Sequence, residues 1–161
     1  MNKAILHGIA GSLAMLCIAT FWSSTLIAEI FLLPTAVLAV KHTIAYVGIP
    51  LLVVAMAMTG ASGTQLGKGR KGRLLDEKKK RMAYIAGNGL LIMIPSAFFL
   101  YWKAANAQFD WSFYVVQCIE LTVGLVQLTL MGKNFMTGLR LAGKLRPKTA
   151  KQSSGVTKDD A

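Results

Sequence analysis

Glu120 is the one charged residue within an apolar segment that runs from Trp111 to Gly132. It lies ten residues after Asp110, a distance of about 15 Å along an α-helix, which is half the thickness of a bilayer's hydrocarbon core. Placing an ionisable side chain at that depth carries a large free-energy cost, so such residues are functional candidates by default. Glu120 is therefore a candidate for accepting a proton, for contacting a ligand, or for moving a proton or small ion.

Glu120 belongs to a polar stripe of residues spaced three and four apart, which places them on one face of a helix. The stripe should face other helices rather than lipid. Asn88, from another apolar segment, is expected at a depth similar to that of Gln127 and is its predicted partner. Hydrogen bonding between helices is favoured over ion movement, because no second carboxylate is expected at the midplane. The polar stripe consists of Gln117, Glu120, Gly124, Gln127 and Met131.

The two histidines, His7 and His42, are candidate haem or metal ligands. They begin successive apolar segments, which cross a membrane in opposite directions, so they should lie at opposite faces and cannot clamp one iron within one subunit. His7 paired with Met58 or Met131 remains a candidate ligand set for a single haem b. A quinone is the other cofactor considered, because 11 of the 14 aromatic residues are expected toward one side of the membrane.

A glycine-rich and then strongly basic stretch runs from Gly60 to Arg81. It fails the phosphate-loop pattern, because Ser62 stands where the first glycine belongs and Gly69 where serine or threonine should follow. No aromatic residue interleaves the basic residues, which argues against nucleic-acid binding. Contact with anionic lipid headgroups explains them best, and the candidates are Lys68, Arg70, Lys71, Arg73, Lys78, Lys79, Lys80 and Arg81.

These residues are positioned by four apolar segments. Residues 4–28, 42–67 and 82–102 carry no charge, in runs of 25, 26 and 21 residues, and the fourth segment carries only Glu120. About 20 helical residues cross a bilayer core. The sequence therefore predicts an all-α integral membrane four-helix bundle with spans at about 5–28, 40–60, 82–102 and 111–132.

The distribution of lysine and arginine predicts the orientation of the bundle. Sixteen of the 18 basic residues fall at the N-terminus, between spans two and three (residues 61–81), or after span four. The positive-inside rule then places both termini and the 61–81 loop in the cytoplasm. The other two, Lys41 and Lys103, belong to the outer side, where Lys41 and His42 should snorkel to the interface.

The C-terminal part of the chain divides into two. From Lys133 to Arg146, apolar and basic residues alternate at helical spacing, which predicts an amphipathic helix lying on the membrane. Residues 147–161 are small, polar and charged, so we expect a disordered cytoplasmic tail after a membrane domain of residues 1–146.

Four strings of the sequence are familiar in combination: TFWSST, GASG, KKKRMAYIAGNGLLIMIP and FDWSFYVVQCIELTVGL. Together they resemble a group of small four-span inner-membrane proteins of Gram-negative bacteria that have no assigned activity. The resemblance covers the chain up to about Lys144 and matches no enzyme motif. It implies a location in the bacterial inner membrane.

These features favour a non-catalytic binding or accessory subunit over an enzyme, because no catalytic constellation emerges. Such a protein would contact a partner membrane protein or a second copy through Gly8, Ser12 and the polar stripe. One alternative is a small redox subunit holding one haem or a quinone. The other is proton or small-ion movement through Glu120.

Overall fold

The computed structural model describes residues 3–69, 72–141 and 143, and in these ranges the chain is helical with no strand. The chain therefore has the all-α class that its sequence predicts. The helices are α1 (Lys3–Phe31), α2 (Pro34–Thr43), α3 (Ile49–Leu66), α4 (Arg73–Asn88), α5 (Ile94–Ala105) and α6 (Trp111–Leu141).

Two π-helical turns join these six helices into four long ones. Ile44–Gly48 connects α2 to α3, and Gly89–Met93 connects α4 to α5. The resulting four helices contain apolar spans of 28, 33, 33 and 31 residues, the first counted from Ala4, and each is long and apolar enough to cross a membrane.

Each π turn is followed two residues later by a proline, Pro50 or Pro95. A proline inside a helix lacks the N–H that would bond the carbonyl four residues earlier, and its ring clashes with that carbonyl. The carbonyls concerned belong to Tyr46 and Leu91, which lie inside the two π turns. The wider turn moves these carbonyls away from the proline ring, and a π turn within a helix often accompanies a functional site.

The helices pack as two pairs, which meet where α1 contacts α6. α1 packs along α3, α6 packs along α4, and α1 also contacts α6. Toward the opposite end, α2 packs against α5 and α1, and α5 contacts α6. Small buried residues such as Ala14 of α1 and Ala55 of α3 meet in one core cluster, and their size lets the backbones approach closely.

The region between spans two and three is more helical than expected. The predicted 61–81 loop is reduced to the connection between Leu66 and Arg73, because α3 extends to Leu66 and α4 begins at Arg73. Five of the eight basic lipid-contact candidates therefore lie on α4. Lysine, arginine and glutamate are good helix formers, and Arg73 donates to Glu77 one turn later at 3.0 Å.

The C-terminal end of the bundle also differs from the expectation. No separate interfacial helix begins at Lys133, since α6 continues without a break to Leu141. Asn134 and Thr137 of these last turns are buried and accept hydrogen bonds from Arg81 of α4, which keeps this part of α6 within the bundle. The rest of the predicted amphipathic segment, apart from Gly143, and the 147–161 tail lie outside the described residues.

Asp110 directly precedes α6 and links it to α5. Its Oδ1 accepts hydrogen bonds from the Phe113 backbone N–H at 3.1 Å and the Ser112 hydroxyl at 2.7 Å, and its Oδ2 accepts one from Lys103 Nζ at 2.7 Å. The Lys103 bond, followed by those of Ser112 and Phe113, holds the pKa of Asp110 well below its ordinary value. The residue therefore combines a helix N-cap with an ion pair.

We expect replacement of Asp110 to lower thermal stability in a graded order, wild type above Asp110→Asn above Asp110→Ala. Asparagine keeps an oxygen that can cap α6 but loses the ion pair, whereas alanine loses both. Because the pKa is lowered in the folded state, the contribution of the carboxylate is complete above its ordinary value of 3.8 and declines as the pH falls below it. Circular dichroism melts of the detergent-purified variants would measure this, and equal melting temperatures for Asp110→Ala and wild type would contradict it.

Candidate functional site

The predicted position of Lys41 is wrong, because its side chain is buried against Glu120 rather than extended to the outer interface. Lys41 Nζ lies 2.7 Å from Glu120 Oε2, and the two residues are 2% and 8% exposed. α2 begins at Pro34, so Lys41 lies about 10 Å inside the helix. At that depth its ammonium reaches a carboxylate more readily than it reaches the interface.

Two further polar residues surround this ion pair. Gln117 Nε2 donates to the same Glu120 oxygen, Oε2, at 3.3 Å. Glu29 of α1 is within electrostatic reach of both Lys41 and Glu120, and its Oε1 is occluded without a hydrogen-bond partner. Glu120, which the sequence leaves as the one unpaired charge in the membrane, is therefore paired, and α1, α2 and α6 all contribute to its surroundings.

Glu29 and Lys41 are the site residues that sequence reasoning missed. Both appear in the sequence as charges at the outer ends of apolar runs, where interfacial positions account for them. The signal that could have identified them is compositional. Glu29, Lys41 and Glu120 are three charges expected within the outer half of the membrane, and opposite charges in an apolar environment tend to pair.

Gln127 does not pair with Asn88 as expected. Its Nε2 donates to the backbone carbonyl of Ile85 at 3.0 Å, while Gly89 leaves space beside the same amide nitrogen. Ile85 and Gly89 are four residues apart, so they lie on the same helical face, and this face packs against Gln127. Asn88 lies to one side of that face. All five residues of the polar stripe are buried within the bundle.

A cavity of about 380 Å³ lies between the α1–α3 pair and the α4–α6 pair. Four of its lining residues are also exposed on the outside of the bundle: Val53 and Ala57 from α3, and Ala86 and Leu90 from α4 and the π turn after it. We call this space the central cavity, and its opening between α3 and α4 the mouth. The mouth therefore opens on the side of the bundle, between α3 and α4.

The walls of the central cavity are mostly apolar. Two glycines, Gly89 and Gly124, line the cavity, and because glycine has no side chain they leave part of its space open. A Cβ at Gly124 would lie 3.0 Å from Trp22 Cδ1, and the Trp22 indole is held there by donating to the Leu121 carbonyl at 2.9 Å. The polar side chains at the wall, besides Trp22, are Thr25, Glu120 and Gln127.

The two histidines lie on different elements with different surroundings. His7 Nδ1 is 3.0 Å from the Thr59 carbonyl and 3.2 Å from Ser62 Oγ, and its Nε2 is 3.2 Å from Lys78 Nζ. Both ring nitrogens thus face protein partners, so an iron would have to displace one of them. His42 is exposed, and its ring centroid lies 5.0 Å from that of Tyr46.

The haem hypothesis finds little support in these positions. Met131, one suggested second ligand, is packed in a core cluster with Ala14 and Ile85, and Met58, the other, is exposed on α3. Within residues 3–69, 72–141 and 143, no group of three histidine, cysteine or acidic side chains is placed to hold a metal ion.

The basic side chains on α4 point in two directions. Lys78 and Arg81 point into the bundle, where Lys78 contacts His7 and Arg81 donates to Asn134 and Thr137 at 2.9 Å each. The exposed candidates for lipid headgroups are Lys68, Arg73, Lys79 and Lys80. Arg70 and Lys71 lie outside the described residues.

Comparisons of the chain with protein-family models, with curated proteins and with solved structures found no match.

We expect loss of either partner of the buried ion pair to destabilise the bundle more than loss of both. Lys41→Met and Glu120→Leu alone each leave one buried charge without its partner, which costs about 3–5 kcal/mol in soluble proteins. The double variant removes both charges and should recover most of that loss. Unfolding of the purified proteins by titration with sodium dodecyl sulfate would measure the three differences.

Lys103→Met provides the matched control, because Lys103 is paired with Asp110 at the same distance of 2.7 Å, but that pair is partly exposed. It should destabilise the protein less than Lys41→Met. Additive effects of the two single replacements in the Lys41→Met and Glu120→Leu double variant would contradict a direct coupling between these residues.

Proposed function

We propose that this protein is a non-catalytic binding protein of the bacterial inner membrane, which holds a lipid-soluble small molecule in the central cavity. The observation that carries the proposal is the cavity itself: about 380 Å³, mostly apolar, with a few polar groups at its wall and an opening between α3 and α4. Binding sites for small molecules usually combine these features at volumes of about 300–1,000 Å³.

The direction of the mouth supports entry from lipid rather than from water. Large apolar side chains are exposed on the outside of all four long helices, including Leu16, Val54, Leu91 and Leu125. Exposure on this scale is typical of a surface that contacts lipid. A molecule dissolved in the bilayer would therefore reach the mouth by lateral diffusion, without crossing an aqueous phase.

The two alternatives are less well supported by the arrangement of polar groups. Ion movement through Glu120 requires a carboxylate that exchanges partners, whereas Lys41 and Gln117 both bond its Oε2. A haem requires a free histidine nitrogen, and both nitrogens of His7 have partners. A quinone, in contrast, is one of the lipid-soluble molecules that the cavity could hold.

The proposed location and orientation rest on the sequence. Sixteen of 18 basic residues fall on the side that holds both termini, which supports cytoplasmic termini by the positive-inside rule. The resemblance to small four-span proteins of Gram-negative bacteria supports the inner membrane. Exposed Lys79 and Lys80 would contact anionic headgroups at the cytoplasmic surface.

Binding in the central cavity can be measured through Trp22, which lines it. The chain has three tryptophans, and replacing the exposed Trp102 and Trp111 by phenylalanine leaves Trp22 as the sole reporter. We expect bromodecane, whose bromine quenches indole fluorescence on contact, to quench Trp22 saturably. In this background Ala86→Phe, at the mouth, should weaken the apparent affinity by about tenfold or more, because the larger ring blocks the opening, equivalent to about 1.4 kcal/mol.

Ala83→Phe is the matched control, since Ala83 is also exposed on α4 but does not line the cavity. It should leave quenching unchanged. Quenching that rises linearly without saturation, or that is equal in Ala86→Phe and Ala83→Phe, would show that the bromine contacts the indole from bulk detergent and would contradict the proposal.

The orientation predicts the outcome of fusing reporters to the chain in bacteria. A green fluorescent protein fused after Ala161 should fluoresce, because it folds in the cytoplasm, and alkaline phosphatase at the same position should be inactive. Alkaline phosphatase inserted after Gln108, in the connection between α5 and α6, should be active. The reverse pattern would contradict cytoplasmic termini.

A further inference from the structure

Two polar side chains at the wall of the central cavity come from one face of α6. Glu120 and Gln127 both line the cavity and are seven residues, or about 10 Å, apart along the helix. Both hydrogen bonds to the Glu120 carboxylate, from Lys41 and from Gln117, end on Oε2. Oε1 is therefore the carboxylate oxygen that remains for a molecule in the cavity.

The orientation of the Gln127 amide follows from its partner. The carbonyl of Ile85 can only accept, so the nitrogen of the amide faces it at 3.0 Å. The amide oxygen is left on the other side, where it has no hydrogen-bond partner although Gln127 is only 3% exposed. That oxygen is also occluded, so Glu120 rather than Gln127 supplies the acceptor that a molecule in the cavity can reach.

Two donor groups near this wall each have a partner within the bundle. The Trp22 indole N–H donates to the Leu121 carbonyl, and the Lys41 ammonium donates to Glu120. Besides the Thr25 hydroxyl, which can donate or accept, the wall offers the free carboxylate oxygen of Glu120, an acceptor that a ligand with only carbonyl or ether oxygens cannot satisfy. It favours a ligand that brings a donor of its own.

The charge balance restricts the donor further. Lys41 already places one positive charge against the negative charge of Glu120 at 2.7 Å. A cationic group on Oε1 of Glu120 would lie beside the Lys41 ammonium and be repelled by it, whereas the second carboxyl of this group, that of Glu29, does not line the cavity. A neutral hydroxyl group can donate to Oε1 of Glu120 and leaves the charge unchanged.

From these observations we infer that the central cavity selects a neutral apolar molecule with a hydroxyl group, whose O–H donates to Oε1 of Glu120. Its apolar body extends toward the mouth. The inference rests on the proposed function and adds the chemical class of the ligand: a phenol, a hydroquinone or a long-chain alcohol, rather than the corresponding ether, quinone or amine.

Three probes with the same apolar body separate these classes: para-hexylphenol, its methyl ether and para-hexylbenzylamine. Their affinities for the detergent-purified full chain would be measured by isothermal titration calorimetry in one detergent. We expect the phenol to bind at least about tenfold more tightly than the ether, because its hydroxyl donates to a charged acceptor. The amine, which is cationic at neutral pH, should bind more weakly than the phenol.

Glu120→Gln tests whether Glu120 is the acceptor. The Lys41 ammonium can only donate, so it should draw the oxygen of the new amide and turn the NH₂ group toward the cavity. The preference for phenol over ether should then disappear. Gln117→Leu is the matched control, because Gln117 is equally buried and also contacts Glu120 but does not line the cavity; it should keep the preference.

Each outcome separates the inference from the proposed function. Equal affinity of the wild-type protein for phenol and ether, or tighter binding of the amine, overturns the inference and leaves the proposed function standing. Saturable binding by none of the three probes overturns both. A preference that persists in Glu120→Gln overturns the assignment to Glu120. Should this variant fail to fold, the double variant Lys41→Met with Glu120→Leu, which removes both charges, takes its place and should likewise lose the preference.

Discussion

The buried ion pair between Lys41 and Glu120 constrains how the bundle can pack. In an apolar environment neither charge can be left without a counter-charge, so α2 and α6 must meet in the register and rotation that bring Nζ within 2.7 Å of Oε2. Gln117 adds a bond to the same oxygen, and Glu29 brings α1 into the same group. Apolar contacts alone are less directional, because in lipid one packed arrangement of leucines and isoleucines is chemically similar to another.

The same interaction determines what the central cavity offers. Lys41 and Gln117 both bond one carboxylate oxygen of Glu120, a residue that lines the cavity, so the other oxygen is left for a molecule inside it. The two π turns before Pro50 and Pro95 border the space, and Gly89 and Gly124 leave it open. A backbone irregularity next to a cavity is tolerated in a membrane because neighbouring helices surround it. The ion pair, the π turns and the glycines thus all shape the central cavity, although they are distant in sequence.

The other end of the bundle illustrates how one residue type serves two purposes. Lysine and arginine concentrate between α3 and α4 and predict the orientation through their number. Two of them, Lys78 and Arg81, also reach back into the bundle, to His7 and to Asn134 and Thr137. A count of charges cannot distinguish these inward residues from Lys79 and Lys80, which are exposed. The distinction depends on which face of α4 meets α1 and α6.

The sequence by itself determined the helical class and the four long apolar helices, because both follow from local composition and the length of uncharged runs. It also identified Glu120 and Gln127 and their shared face, since helical spacing is a local property. Only the tertiary structure decided that Lys41 pairs with Glu120, that Gln127 bonds the Ile85 carbonyl rather than Asn88, and that a cavity separates α3 from α4. These depend on the rotation and axial shift of whole helices, which residues far apart in the chain set together through packing.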